Sequence, residues 1–395
     1  MLEHSFFPTP DRVEFYYRNT IIYGIGCRNE VATKLNQLGA KRVVILTDTG
    51  VKNAGVADMI SEALKDTVIE LVGIYDGFIQ DARVTQINEA VRMMKTNKAD
   101  GVIALGGGSV LDSTKMVIHL IAHGRDDLAE VLQDPIFDFK PLMPHIAFPT
   151  TSGTGCEISP AAVIYDEQEK KKVIVFDPFS SSDVAMLDPE LVVGLPPKVT
   201  AFTGMDALTH AIESYTNITP GIFGDGMSLQ AVRMIARWLP KAVKNGADLT
   251  ARGQMMVAAT TAVIGSTGLG AVHATAHALG GRFGIPHGLA NTIMLPWVME
   301  VNLESQLERF RDVAQAMGAQ VDRLSEKEGA IMAVQKVREL IKEVGITETL
   351  GSFGITEKKI EDSGLVDLAL MDMLLGTNPK ELEFDDIKKL YLKAL

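Results

Sequence analysis

Two periodicities divide the chain. From residue 13 to residue 187, short apolar runs alternate with amphipathic stretches. Val13, Phe15 and Tyr17, then Ile21, Ile22 and Tyr23, read as extended chain over 13–27, and residues 28–39 have helical spacing that closes at Gly39, a natural C-cap. Arg42–Asp48 is a nearly unbroken apolar run ending in polar residues, the pattern of a parallel strand buried on both faces. A helix to about Lys65, a strand at 67–75, a helix at 83–97, a strand at 102–105, a helix at 110–123 and strands at 146–148, 161–165, 173–176 and 184–187 follow. The alternation predicts a doubly wound α/β layer over residues 1–195. Past Asp188-Pro189 and Leu195-Pro196-Pro197 the segments 199–216, 224–245, 247–266, 269–280, 288–301, 304–317 and 325–344 all carry helical periodicity, so residues 196–395 are expected to form an all-α domain. The cleft between two such halves is the default place for a ligand.

Composition narrows the classes. The 395 residues are 46% apolar, enough for large cores, and the net charge of −12 argues against nonspecific nucleic-acid binding and against an anionic membrane surface. No uncharged apolar run reaches the ~18 residues of a membrane span, and Met1-Leu2-Glu3-His4-Ser5 lacks the basic-then-apolar start of a signal peptide. Only Cys27 and Cys156 are present, which fits a reducing cytoplasm rather than a disulfide framework.

Four of the eight histidines fall between Gly204 and His287. Asp206 and His210 are four apart, as are His273 and His277, so each pair shares a helix face. A carboxylate with two or more imidazoles suits a borderline divalent ion such as Fe²⁺ or Zn²⁺. On one unbroken helix His273 and His287 would lie roughly 21 Å apart. Gly280-Gly281, Gly284 and Pro286 are helix-ending residues, so the chain can turn and deliver His287 at the next helix start. Spacing alone leaves open which of His273 and His277 binds.

At strand ends of the first half lie two loops. Gly106-Gly107-Gly108-Ser109, followed by Asp112, joins a strand to a helix and brings backbone amides and a helix N-terminus to bear on an anion; it is neither a G-x-G-x-x-G fingerprint nor a Walker loop. Thr150-Thr151-Ser152-Gly153-Thr154 is a second cluster of hydroxyls and amides. Together they point to a dinucleotide. Asp48 is either a helix N-cap or the acceptor of a ribose diol, the latter favouring NAD over NADP. Lys172 stands in a three-lysine run that also suits a solvated turn, and His119, His123 and His145 read as structural.

With these motifs in hand, the chain resembles the iron-containing (group III) alcohol dehydrogenases over nearly its full length. The matching stretches are Gly106-Gly107-Gly108-Ser109-x-x-Asp112, Pro149-Thr150-Thr151-x-Gly153-Thr154, Gly204 to Glu213, and Gly268-x₄-His273-x₃-His277-x₂-Gly280 with Pro286-His287-Gly288. The resemblance implies a dehydroquinate synthase-like architecture, an NAD-binding α/β domain, and a metal held by Asp206, His210, His273 and His287. It places His277 beside the metal in proton movement, Asp48 at the ribose, both loops at pyrophosphate and nicotinamide, and Lys172 on the cofactor side. It implies a small alcohol or aldehyde as substrate, aldehyde reduction when NADH dominates, and a homodimer or larger homo-oligomer. Gln80-Asp81-Ala82 stands where many relatives have Pro-Asn-Pro, and Ala161 where many have Asn, which puts details of cofactor binding in question. A zinc-dependent glycerol-dehydrogenase-like enzyme and a non-catalytic homo-oligomeric scaffold are the alternatives.

Overall fold

The computed structural model describes residues 17–167, 169–219 and 221–395, so the N-terminal segment and residues 13–16 of the first extended stretch lie outside the described residues. The strands are β1 (Thr20–Tyr23), β2 (Arg42–Asp48), β3 (Glu70–Phe78), β4 (Ala82–Arg83), β5 (Gly101–Gly106), β6 (His145–Pro149), β7 (Ala161–Asp166), β8 (Lys171–Phe176) and β9 (Val184–Leu187). Between them run α1 (Val31–Gln37), α2 (Thr49–Asn53), α3 (Val56–Leu64), α4 (Val84–Thr96), α5 (Gly108–Ala122) and α6 (Leu128–Gln133). Backbone contacts separate two units: one is Arg18–Leu195 with Gly246–Val257, the other chiefly Pro196–Asn245 and Ala258–Leu395.

In the first unit six strands form one parallel sheet in the order β1-β9-β6-β5-β2-β3. The apolar runs are continuous because the sheet is covered on both faces. Val43, Ile45, Ile103 and Leu105 pack with α1 and α3 residues such as Leu35 and Ile60, while Val44, Leu46 and Val102 pack with Ile87, Val91 and Val117 of α4 and α5. After β2 the chain steps outward to β3, then returns across β2 to β5. That reversal makes the β2/β5 edge the topological switch point, where ligands of such sheets bind. The Thr47 hydroxyl donates to the Leu105 carbonyl at 2.7 Å and fastens the two strands there.

Three features depart from the expected pattern. β3 runs Glu70–Phe78 rather than 67–75, because Val68 is turned out to solvent while the strand follows β2 to its end. β7 and β8 form an antiparallel hairpin that pairs with β4 in a separate sheet, with Lys170 at φ +51° in its turn. The helix expected at 28–39 opens as a 3₁₀ turn over Cys27–Glu30.

The second unit is helical: α7 (Pro197–Thr216), α8 (Gly224–Lys244), α9 (Leu249–Ile264, whose first part groups with the α/β unit), α10 (Ala271–Phe283), α11 (His287–Asn302), α12 (Leu307–Ala316), α13 (Glu326–Glu343), α14 (Glu357–Asp362), α15 (Leu365–Leu370) and α16 (Phe384–Lys393). Among the described residues no helix is long and apolar enough to cross a membrane.

His145 opens β6 and is 2% exposed. Burial pushes its pKa down to about 3, and the Lys115 and Arg18 cations act in the same direction. The unfolded chain takes a proton near pH ~6.5 that the folded chain refuses, so stability is lost as pH falls from there towards the folded value. His145→Leu removes this component. Its unfolding free energy in urea is expected to fall by about 2 kcal/mol less than that of the parent between pH 7 and pH 5; parallel slopes would show that the ring protonates freely in the fold.

Candidate metal centre and cofactor cradle

Three helices of the second unit bring the centre together. Pro197 occupies the first turn of α7, where a missing N–H costs nothing, and the helix then carries Asp206 and His210 one turn apart. α10 supplies His273 and His277, then stops at Gly284 in the left-handed region, φ +67°. Pro286 is the next N-cap, so His287 becomes the first residue of α11, and the helix breaks do what their positions in the chain predict. α11 packs against α7 and α10. The approach is close: a Cβ on Gly288 would stand 2.4 Å from the Phe202 carbonyl oxygen.

Ligand atoms of Asp206, His210 and His273 lie within 4.8 Å of one another. His273 Nε2 is 3.8 Å and His287 Nε2 3.5 Å from Asp206 Oδ1. The imidazoles are oriented from behind. His210 Nδ1 donates to the Asp206 backbone carbonyl at 2.9 Å, and His273 Nδ1 donates to Glu213 Oε2 at 2.5 Å, which leaves Nε2 of each ring as the lone-pair atom. Burial, with the neighbouring His210, holds the His273 pKa well below its ordinary value, so the ring is neutral and able to ligate.

This set fits a divalent cation. Asp206 is 2% exposed, and among the described residues its ion-pair contacts are all imidazoles; no lysine or arginine pairs with it. A buried carboxylate among imidazoles, with no lysine or arginine beside it, is a poor place for an uncompensated negative charge and a good one for Fe²⁺ or Zn²⁺. Among the described residues His277, unlike the other three, makes no ion-pair contact with Asp206: its Nδ1 meets Asp372 Oδ2 at 2.8 Å, and its ring stacks on His287 with centroids 5.2 Å apart.

Three supporting residues had no assigned role in the sequence reading. Glu213 accepts the Val272 N–H at 2.7 Å as well as the His273 ring, and burial pushes its carboxyl up to about 7 against those donors. The signal for it was present, since 206, 210 and 213 follow i, i+4, i+7 on one face. Asn291, one turn after His287, donates to Asp206 Oδ1 at 2.6 Å and is fully buried. Asp372 lies 95 residues beyond His277, a distance at which no local pattern operates. It is partly buried, which acts to raise its pKa, yet its hydrogen bond to His277 holds that pKa below the ordinary carboxylate value.

In the α/β unit the two loops meet. β5 and β6 run in register to Gly106 opposite Pro149, and the Thr150 N–H donates to the Gly106 carbonyl at 2.9 Å. Thr151 and Thr154 pack against Gly107 and Gly108; a Cβ on Gly108 would stand 2.8 Å from the Thr154 methyl. Gly107 is the N-cap of α5 and brings no side chain to cover its first-turn amides, the arrangement an anion needs. Ser152 is buried beside Thr150 in the same loop. Asp48 ends β2 at the switch point and is an N-cap, its Oδ1 accepting the Val51 N–H at 2.9 Å. Asp112 is employed structurally: Oδ1 meets Lys115 at 3.0 Å and Oδ2 the Val163 N–H at 3.0 Å, tying α5 to β7. Lys172, on β8, pairs with Asp81 at 2.9 Å. Cys156 is buried, which raises its thiol pKa far above the ordinary value and leaves it no nucleophile.

Comparison with known proteins bears on both units. Residues 19–189 match the profile of iron-containing alcohol dehydrogenases, and residues 200–395 match the C-terminal profile of the Fe-containing alcohol dehydrogenase family. The chain is 35% identical over 375 residues to long-chain-alcohol dehydrogenase 1 of Geobacillus thermodenitrificans, covering 94% of each chain. It is 34% identical over 385 residues to the NAD-dependent methanol dehydrogenase of Bacillus methanolicus, covering 96% of this chain and 99% of that one. The solved alcohol dehydrogenase from Oenococcus oeni superposes with a TM-score of 0.91 at 32% identity, covering 97% of this chain and all of the other. On the strength of both profiles and these full-length likenesses, the chain belongs to the iron-containing alcohol dehydrogenase family.

Proposed function

We propose that this chain is a metal-dependent, NAD-linked alcohol dehydrogenase, working also as an aldehyde reductase, that moves hydride between a small primary alcohol or diol and NAD. The observation that carries the reading is the convergence of the His210, His273 and His287 imidazoles, from three helices, on the buried Asp206 carboxylate. These four residues would hold Fe²⁺, or Zn²⁺ where that ion is available. When bound, the ion supplies Lewis acidity that lowers the pKa of an alcohol hydroxyl. The relative from Bacillus methanolicus supports NAD as the cofactor by its name. The cradle of Gly106, Gly107, Gly108, Ser109, Thr150, Thr151, Ser152 and Thr154 would take the pyrophosphate side, with Asp48 at the ribose.

His277 carries the proton. Its Nδ1 is committed to Asp372, which leaves Nε2 as the atom that accepts the proton on oxidation and returns it on reduction. Asp372 fixes the tautomer. We place the enzyme in the cytoplasm on its two buried, unpaired cysteines, and read it as a homo-oligomer on the exposed apolar side chains Ile21, Tyr23 and Ile25 at the β1 edge.

The test is anaerobic reconstitution of metal-stripped protein with Fe²⁺ or Zn²⁺, following NADH oxidation with aldehydes from formaldehyde to long-chain members. Restoration by Fe²⁺ is expected; restoration by Zn²⁺ alone would favour the glycerol-dehydrogenase-like alternative, and none with either ion would remove the reading. His277→Ala is expected to lower kcat by about a hundredfold or more while metal content stays near that of the parent. Loss of the metal in that variant would make His277 a ligand. Glu213→Ala leaves the His273 Nδ1 proton without its acceptor, so metal affinity by chelator competition is expected to weaken about 10- to 100-fold; an unchanged affinity would show that Glu213 does not position the ligand.

A further inference from the structure

We propose that Asp81 limits the affinity of the α/β unit for the pyrophosphate of its dinucleotide by holding the ammonium of Lys172 and setting a carboxylate beside the glycine loop. The proposal rests on the reading of that unit as the NAD-binding unit. Asp81 lies between β3 and β4 with φ +59°, a left-handed backbone that a non-glycine residue adopts at a cost and that Asp and Asn tolerate best. Its N–H donates to the Ser109 hydroxyl at 3.1 Å, which anchors it to the first turn of α5. Its Oδ1 lies 2.9 Å from Lys172 Nζ, with the two side chains 19% and 6% exposed.

The small sheet builds this pair from the backbone. β4 begins at Ala82, directly after Asp81, and Arg83 is level with Tyr165 of β7; Tyr165 is in turn level with Lys172 of β8. The lysine and the carboxylate are thus brought together by strand register rather than by a chance surface encounter.

The charge balance gives the pair its consequence. The loop residues that would hold the phosphates, Gly106 to Ser109 and Thr150 to Thr154, are all uncharged. Lys172 is the one cation among the residues assigned to the cofactor, and a carboxylate of this chain already engages it. A pyrophosphate arriving at the α5 N-terminus therefore competes with Asp81 for that ammonium and is repelled by Asp81 itself. Both effects act in the same direction, and at partly screened distances they amount to roughly three- to tenfold in affinity.

The test is the Kd of NADH by fluorescence titration at low and at high ionic strength, for the parent protein and for Asp81→Asn. Asparagine keeps the N–H, the shape and the left-handed φ while removing the charge, and Asp81→Gly, which accepts the same φ, serves as a second neutral variant. Both are expected to bind NADH about three- to tenfold more tightly than the parent in dilute buffer, with the gain shrinking as salt screens the phosphates. Unchanged or weaker binding, or a gain indifferent to salt, overturns the proposal. A parent protein that binds no NADH overturns the cofactor reading itself, an outcome distinct from failure of the Asp81 argument alone.

Discussion

Burying a carboxylate without a compensating cation is among the most expensive things a fold can do. Asp206 is such a carboxylate, and the helical unit is arranged around its compensation. The α7 helix places it; α10 and α11 each bring an imidazole within 4 Å of the same oxygen, and Asn291 adds an amide N–H. Each of these partners depends on something behind it. His273 depends on Glu213, His287 on the turn from Gly284 to Pro286, and the closeness of α11 on the absence of a side chain at Gly288. A divalent ion would complete the set, because it satisfies several lone pairs at once where a lysine would satisfy one.

The α/β unit addresses the opposite charge with different means. An anion is expected where β5 gives way to α5, yet the chain carries a net charge of −12 and brings few cations to the spot. Backbone amides, freed by glycines and aimed by a helix, would do that work instead. Such a cradle binds phosphate without raising the positive charge of the surface, and a small number of side-chain charges then governs how tightly it holds.

Much of this was legible in the chain because the physics behind it is local. Strands such as β2 and β5 announce themselves as apolar runs since both their faces are buried, and D-x-x-x-H and H-x-x-x-H declare shared helix faces. The helix breaks before His287 were equally readable. What stayed hidden is long-range. β7 and β8 read as strands, but only pairing partners reveal that they leave the main sheet. What separates His273 from His277 is also long-range: His273 Nε2 lies 3.8 Å from Asp206 Oδ1, whereas His277 is tied to Asp372, far off in the chain. Asp48 and Asp112 show the limit from the other side. Their positions suggested cofactor contacts, and the structure gives each an internal hydrogen bond as well, a cap for α2 and a tie between α5 and β7.

The claim on which the rest turns is that one ion sits among Asp206, His210, His273 and His287 and that His277 stands outside its shell. Anomalous diffraction from crystals of iron-loaded protein, recorded at the iron edge, addresses it directly. The account predicts a single strong peak bonded to those four side chains at about 2.0–2.2 Å, with His277 still hydrogen-bonded to Asp372. A peak elsewhere, or one that takes His277 as a ligand in place of His273 or His287, would contradict it.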